Sequence, residues 1–274
     1  MPYAKKSLGQ HFLRSESALR KIAEAGQLSP ADIVLEIGPG EGVLTKLLLE
    51  QAGKVIAVEK DDRLIPLLKQ KFATEIASRK LELIHADILK FSIFNFQFSG
   101  KPYKIVANIP YYITGALIRK FLESDAQPKT MVLLIQKEVG KRIIAKDKKE
   151  SILSISVKAY GVPRYIDTVK AGAFSPPPKV DSAIIAIENI SKEFFTDGLT
   201  EPLHGTRLDL VRKAELRFFA LLKKGFAHPR KLLSSNLEID PQILVSCGLS
   251  PKVRAEEVSL AEWRCLVSMD RSRS

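Results

Sequence analysis

One short stretch limits the folds open to this chain. The apolar run Ile33-Val34-Leu35, two of its three residues β-branched, leads into Glu36-Ile37-Gly38-Pro39-Gly40-Glu41-Gly42, and a largely apolar run over residues 43–49 follows. Such an order reads as strand, tight glycine turn, helix. Glycines let the backbone take positive φ and let a ligand approach with no Cβ in the way. The loop is not a dinucleotide fingerprint, because position 43, where the third glycine would stand, is Val. Nor does a Lys-Ser/Thr pair follow, as a phosphate-binding loop requires. What remains is an acid-led Glu-x-Gly-x-Gly-x-Gly turn, poorly suited to a pyrophosphate. An ordinary strand-to-helix turn would look the same in isolation, so the following segments decide.

Residues 54–58 form a second strand candidate ending at Glu59, residues 81–87 a third ending at Asp87, and residues 103–107 a fourth running into Asn108-Ile109-Pro110-Tyr111. In an open parallel sheet, ligands sit beyond the carboxyl ends of the strands, and an acid about twenty residues past the glycines faces ribose hydroxyls. Four successive strand ends here carry small or polar ligand-type residues. Residues 130–135 and 182–187 continue the sheet, and 152–160 fits a helix or a strand, giving about seven strands, mostly parallel. Ser15 is placed to cap a helix over 16–24 with Ala18, Leu19, Ile22 and Ala23 on one side. Further helices are expected over 62–72, with Pro66 in the first turn, over 114–122, and over 137–149 into a basic loop. Residues 91–100 read as a loop. Three prolines at 176–178 stiffen that stretch into polyproline-like geometry and hold Phe174 in place.

The formal net charge of +12, at a pI near 9.6, calls for a polyanionic partner. Basic character is general rather than a tail: residues 1–190 hold 29 Lys and Arg against 20 acids, and 191–274 hold 14 against 11. It concentrates over 207–231, with eight basic and two acidic side chains, and over 1–21, with five against one. With no apolar run near the ~20 residues of a membrane span, and no leader-type apolar region after the first residues, a cytoplasmic protein is expected. Cys247 and Cys265 have no metal-ligand spacing and read as buried thiols of a reducing compartment rather than a disulfide. Beyond residue 190 there is no strand signal. The expected organisation is an α/β domain over 1–190, a linker over 191–206 and a helical domain over 207–274, with an amphipathic helix over 208–224.

Gly9-Gln10-His11-Phe12-Leu13, the glycine loop, Asn108-Ile109-Pro110-Tyr111 and Phe174-Ser175-Pro176-Pro177-Pro178-Lys179-Val180 occur in that order. Together they make the chain resemble the ribosomal RNA adenine dimethyltransferases, above all the bacterial small-subunit type that dimethylates two adjacent adenines in a hairpin near the rRNA 3′ end. The resemblance implies a Rossmann-like class I S-adenosylmethionine-dependent methyltransferase sheet with a C-terminal all-helical domain. It implies S-adenosylmethionine held by His11, Leu13, Gly38, Gly40, Glu59, Asp87 and Asn108, with no metal. Asn108 and the Ile109 carbonyl would bond the target amine, while Tyr111 and Phe174 would offer π-faces to an adenine taken out of its stack. Arg212, Lys213, Lys223, Lys224, Arg230 and Lys231 would contact RNA phosphate. The implied partner is small-subunit rRNA within an immature ribosomal particle, met by a monomer, with no membrane involved.

The chain departs from the family pattern in having His at position 11 where many relatives have Asn. It also has Lys231 where a second Arg is common. On its own, His11 beside Phe12 and Leu13 reads as a packing or binding residue before an acid–base one. Three rivals differ in class: a large-subunit adenine methyltransferase of the macrolide-resistance type, a non-catalytic nucleic-acid-binding relative, and a nicotinamide dehydrogenase. The stretch over 226–237 favours the small-subunit type over the first. The intact Asn-Ile-Pro-Tyr disfavours the second, and Val43 the third.

Overall fold

The computed structural model describes residues 4–5, 8–92, 102–145, 149–196 and 206–271. It divides into two compact units, one formed by residues 1–140 and 162–190, the other by 141–161 and 191–274. Residues 93–100 of the expected loop, 146–148 of the basic loop and 197–205 of the expected linker lie outside the described residues.

The first unit opens with a two-residue strand, β1 (Phe12–Leu13), and α1 (Glu16–Ala25). Ser15 Oγ accepts from the Ala18 N–H, and Ala18, Leu19, Ile22 and Ala23 are the buried side of α1. Strand-and-helix repeats follow: β2 (Ile33–Ile37), α2 (Val43–Gln51), β3 (Lys54–Glu59), α3 (Ile65–Lys71), α4 (Ala73–Ala77), β4 (Leu81–His85), β5 (Tyr103–Asn108), α5 (Thr114–Leu122), β6 (Thr130–Gln136) and α6 (Lys137–Ile144). Pro66 stands in the first turn of α3, where its missing N–H has no intrahelical partner to lose.

After α7 (Ile152–Lys158), which belongs to the second unit, the chain adds β7 (Val162–Val169), β8 (Phe174–Ser175) and β9 (Ser182–Glu188). The main sheet has seven strands in the order β4-β3-β2-β5-β6-β9-β7. The first five are parallel, and β9 runs antiparallel to both β6 and β7. Val34, Leu35, Ile56, Ile105, Val106 and Val132 have no exposed surface, as strands covered on both faces require. Strand order reverses between β2 and β5, which places a ligand crevice at their carboxyl ends.

The undecided stretch over 152–160 is helical, with Ser151 and Ser154 forming a reciprocal cap, and the seventh strand is β7 immediately after it. Pro163 and a bulge between Tyr165 and Asp167 interrupt the alternation that would have revealed β7. β1 and β8 pair antiparallel, with Phe12 opposite Ser175 and Leu13 opposite Phe174, joining segments about 160 residues apart.

The second unit is built on α9 (Arg207–Gly225), preceded by α8 (Glu193–Thr196) within the expected linker. Thr206 and Asp209 cap α9 reciprocally, and Val211, Ala214, Phe218 and Leu222 are buried along it. Phe194, Phe195, Phe218 and Phe219 form a ring cluster, with edge-to-face pairs at centroid distances of 5.0–5.6 Å. Short helices α10 (Leu233–Leu237) and α11 (Pro241–Ser246) lead to α12 (Leu260–Arg271), whose Trp263 is fully buried and stacks on Phe226. The cysteines are corrected too: Cys247 and Cys265 form a disulfide, because the end of α11 and the middle of α12 bring their Cα atoms to 5.7 Å.

Candidate functional site

The carboxyl ends of β2, β3, β4 and β5 surround one open-mouthed cavity of about 1200 Å³, solvent at its mouth included. Residues 8–13 form another part of its wall, as do Asn108–Ile113. His11, Leu13, Gly38, Gly40, Glu59, Asp87, Asn108, Ile109 and Tyr111, nine of the ten residues expected at the cofactor and reaction site, all line it.

Gly40 has φ of +59°, and a Cβ there would lie 3.2 Å from the Phe12 ring, so the loop passes directly beneath β1. Glu41 of the same loop is clamped by the Arg14 guanidinium, with Nη2 donating to Oε1 at 3.0 Å. At the end of β3, Glu59 is 5% exposed and accepts from the Gly40 N–H at 3.1 Å and the Asp61 N–H at 2.8 Å. Burial pushes its carboxyl up, and those two N–H groups oppose the rise. Asp87, past β4, pairs with Lys60 at 2.9 Å and accepts from the Leu89 N–H at 3.0 Å. Burial works against its charge, but the Lys60 ammonium and that N–H hold it below the ordinary carboxylate range.

At the end of β5, Asn108 Nδ2 donates to the His11 carbonyl at 3.4 Å, leaving Oδ1 as an acceptor. The Tyr111 hydroxyl is 2.6 Å from Ser182 Oγ at the start of β9, and its ring lies 6.0 Å from the His11 ring at 21°. His11 Nδ1 in turn donates to the Pro176 carbonyl at 2.8 Å. His11 therefore links the amino-terminal segment, the β5 turn and the proline stretch.

Phe174 is the exception. Its ring is 4% exposed, does not line the cavity and belongs to the core, where its strand position opposite Leu13 keeps it. The π-face expected of it for an adenine is taken up by packing. Tyr112, which no motif pointed to, lines the cavity instead and is 61% exposed.

Glu36, which leads the glycine loop, is legible as part of that turn, where no motif gives it a role of its own. It is fully buried, and burial pushes its carboxyl up to about 8, with the neighbouring Thr45 hydroxyl opposing the rise. Neither Glu36 Oε2 nor Thr45 Oγ1 completes a hydrogen bond. An acid inside a strand whose neighbours are all apolar was the available signal.

In the second unit Arg212, Lys213, Lys223, Lys224, Arg230 and Lys231 are all exposed. Lys224 is held by Glu238 at 2.7 Å. Asn236 Nδ2 donates to the carbonyls of Gly225 at 2.6 Å and His228 at 3.0 Å, which fixes the turn that displays Arg230 and Lys231.

The family model for ribosomal RNA adenine dimethylase matches residues 1–201. The chain belongs to that family. This dimethylase is 43% identical over 271 residues to the ribosomal RNA small subunit methyltransferase A of Dehalococcoides mccartyi, covering 96% of this chain and 87% of the relative. It is 39% identical over 281 residues to the protein of that name from Rippkaea orientalis, covering 96% of each. Among solved structures, a dimethyladenosine transferase from Plasmodium falciparum superposes with a TM-score of 0.76 at 26% identity, covering 96% of this chain and 98% of that one. The 23S rRNA methyltransferase ErmE superposes at 0.72 with 25% identity, covering 94% and 98%. Fold alone thus accommodates both subunit types, and the curated relatives favour the small-subunit one. No described helix is long and apolar enough to cross a membrane.

Proposed function

We propose that this dimethylase transfers methyl groups to N6 of two adjacent adenines in a hairpin near the 3′ end of 16S rRNA, drawing them from S-adenosylmethionine and needing no metal. The partner is an immature small-subunit particle, and the enzyme works as a cytoplasmic monomer. The observation that carries the reading is the end of β5, where Asn108 spends its amide N–H on His11 and keeps Oδ1 to accept, within the cavity that also holds Glu59 and Asp87.

The residues fit that cofactor. At the glycine loop Glu59 offers acceptor oxygens suited to a ligand with hydroxyls, and no loop side chain supplies the cation that a phosphate needs. Glu59 would accept from ribose hydroxyls, Asp87 from an adenine amine, and Gly38 and Gly40 would admit the amino-acid part; His11 and Leu13 close over it. The cofactor supplies an electrophilic sulfonium methyl.

The chain's own contribution is geometry and polarisation. An exocyclic adenine amine is a poor nucleophile because its lone pair is delocalised into the ring. Acceptance of its two N–H groups by Asn108 Oδ1 and the Ile109 carbonyl draws the nitrogen toward sp³ character and frees that pair. Tyr111, tied to Ser182 and backed by His11, holds the ring in register, and near-attack alignment of this kind is worth several kcal/mol. Arg212, Lys213, Lys223, Lys224, Arg230 and Lys231 would bind RNA phosphates.

The test is to follow tritiated methyl on purified, unmethylated small and large subunits with wild-type enzyme and Asn108→Ala. Label in two adjacent adenines of the small subunit, lost in Asn108→Ala with most RNA affinity retained, is the expected result. Label in the large subunit, or near-normal turnover of Asn108→Ala, would overturn the reading.

A further inference from the structure

Tyr112 stands where a large aromatic side chain needs a reason to be. It is 61% exposed, yet it forms part of the wall of the reaction cavity. Both neighbours are immobilised. Tyr111 is held inward by Ser182, and Ile113 is buried with its N–H donating to the Pro110 carbonyl at 3.2 Å. In a tight 3₁₀ turn successive side chains point about 120° apart, so fixing Tyr111 and Ile113 inward holds Tyr112 outward.

The ring is also backed. Gly9 has φ of +59°, and a Cβ on it would come within 3.2 Å of Tyr112 Cδ1 and 3.4 Å of Cε1. Backbone therefore lies directly against the ring there, and a side chain at position 9 would press into it. A rigid aromatic at a cavity mouth, backed on one side and open to solvent on the other, is the arrangement that stacks an unpaired base.

We propose that Tyr112 is a stacking platform for the nucleobase adjacent to the target adenine. This rests on the functional reading above and deepens it. Withdrawing one adenine from a hairpin strips its neighbour of a stacking partner. An aromatic ring one residue from Tyr111 replaces that partner while the target sits beside Asn108. The two adjacent adenines then bind as a pair, one at Tyr111 and one on Tyr112, and trade places between rounds of methylation.

The test uses full-length enzyme on small-subunit particles assembled on transcribed 16S rRNA, either with both adenines or with one or the other replaced by uracil, the weakest-stacking base. Loss of one base–aromatic stack corresponds to roughly a 5- to 150-fold change. Tyr112→Ala should raise KM for the two-adenine particle within that range, with S-adenosylmethionine affinity by calorimetry unchanged, and Tyr112→Phe should restore KM. On either uracil particle the remaining adenine is the target and uracil the platform's occupant, so the gap between wild type and Tyr112→Ala should shrink several-fold on both. An equal gap on all three particles, a KM of wild-type size in Tyr112→Ala, or a parallel loss of cofactor affinity would overturn the inference while leaving the functional reading intact. A wild-type enzyme inert on the two-adenine particle would overturn both.

Discussion

Glu36→Gln is the most informative single substitution, because one buried group makes a quantitative statement about stability and pH. The carboxyl has an ordinary value of 4.5 and sits at about 8 in the folded chain. Between those values the folded state holds a proton that the unfolded chain has already released. Stability contributed by this group therefore falls as pH rises through that window, and the loss is complete only above 8. With one pK unit equal to ~1.36 kcal/mol, raising the pH from 6 to 9 removes about 2.5 kcal/mol through Glu36 alone. For a chain of this size that is a drop in Tm of about 5–10 °C. Glutamine has the same shape and no charge to lose, so the variant should lack this component of the slope. Its amide adds a roughly constant offset at all pH values. Thermal unfolding of both proteins without cofactor at pH 6, 7, 8 and 9 gives the comparison directly. Titrating groups that do not interact with Glu36 cancel in the difference between the two curves, leaving Glu36 with its coupled neighbours Glu59 and Lys71. Parallel curves would show that Glu36 is ionised or solvated in the folded state, and the reasoning would fail.

Phe174→Ala should lower stability by about 3–5 kcal/mol, the range for emptying a buried phenylalanine site, along with turnover; impaired turnover at unchanged Tm would return the ring to a direct role at the adenine. Neutralising Lys223, Lys224, Arg230 and Lys231 together should flatten the salt dependence of binding to ribosomal particles, because fewer counterions are released, and leave calorimetric cofactor affinity unaltered. An unchanged slope would mark that patch as a solvated face. Reducing the Cys247–Cys265 bond, which spans 18 residues, should destabilise the helical unit by about 3 kcal/mol on the chain-entropy estimate, read as a lower midpoint in denaturant with dithiothreitol; coincident curves would mean the bridge adds nothing.

The parts of the site legible in the sequence are those written locally. Glu36 to Gly42, Glu59, Asp87 and Asn108 to Tyr111 each follow a short apolar run, and parallel pairing then carries all four strand ends to one edge of the sheet. Helices with an apolar stripe, such as α1 and α9, were equally plain. What stayed hidden depends on partners distant in the chain. β7 is a strand because β9 pairs with it, despite Pro163. Residues 141–161 leave the sheet domain for the helical unit, which no composition shift announces. Phe174 carries the right ring for stacking, but its burial is decided by Leu13. Tyr112 follows a motif residue and borrows no signal from it; only the Gly9 backbone beside it and the open cavity before it set it apart. The disulfide required two helices to meet.

The pairing of β1 with β8 bears on how the enzyme is born. Leu13 leaves the ribosome 161 residues before its partner Phe174, and synthesis at ~5–20 residues per second puts ~8–32 s between them. Even when the glycine loop and β2 to β6 have been made, the amino-terminal wall has no strand to lie against, and His11 has no Pro176 carbonyl to bond, until residues 174–176 follow. The amino-terminal wall of the site is therefore among the last parts of the sheet domain to find its partner, and a nascent chain emerging beside ribosomal RNA lacks that wall until the sheet is almost complete.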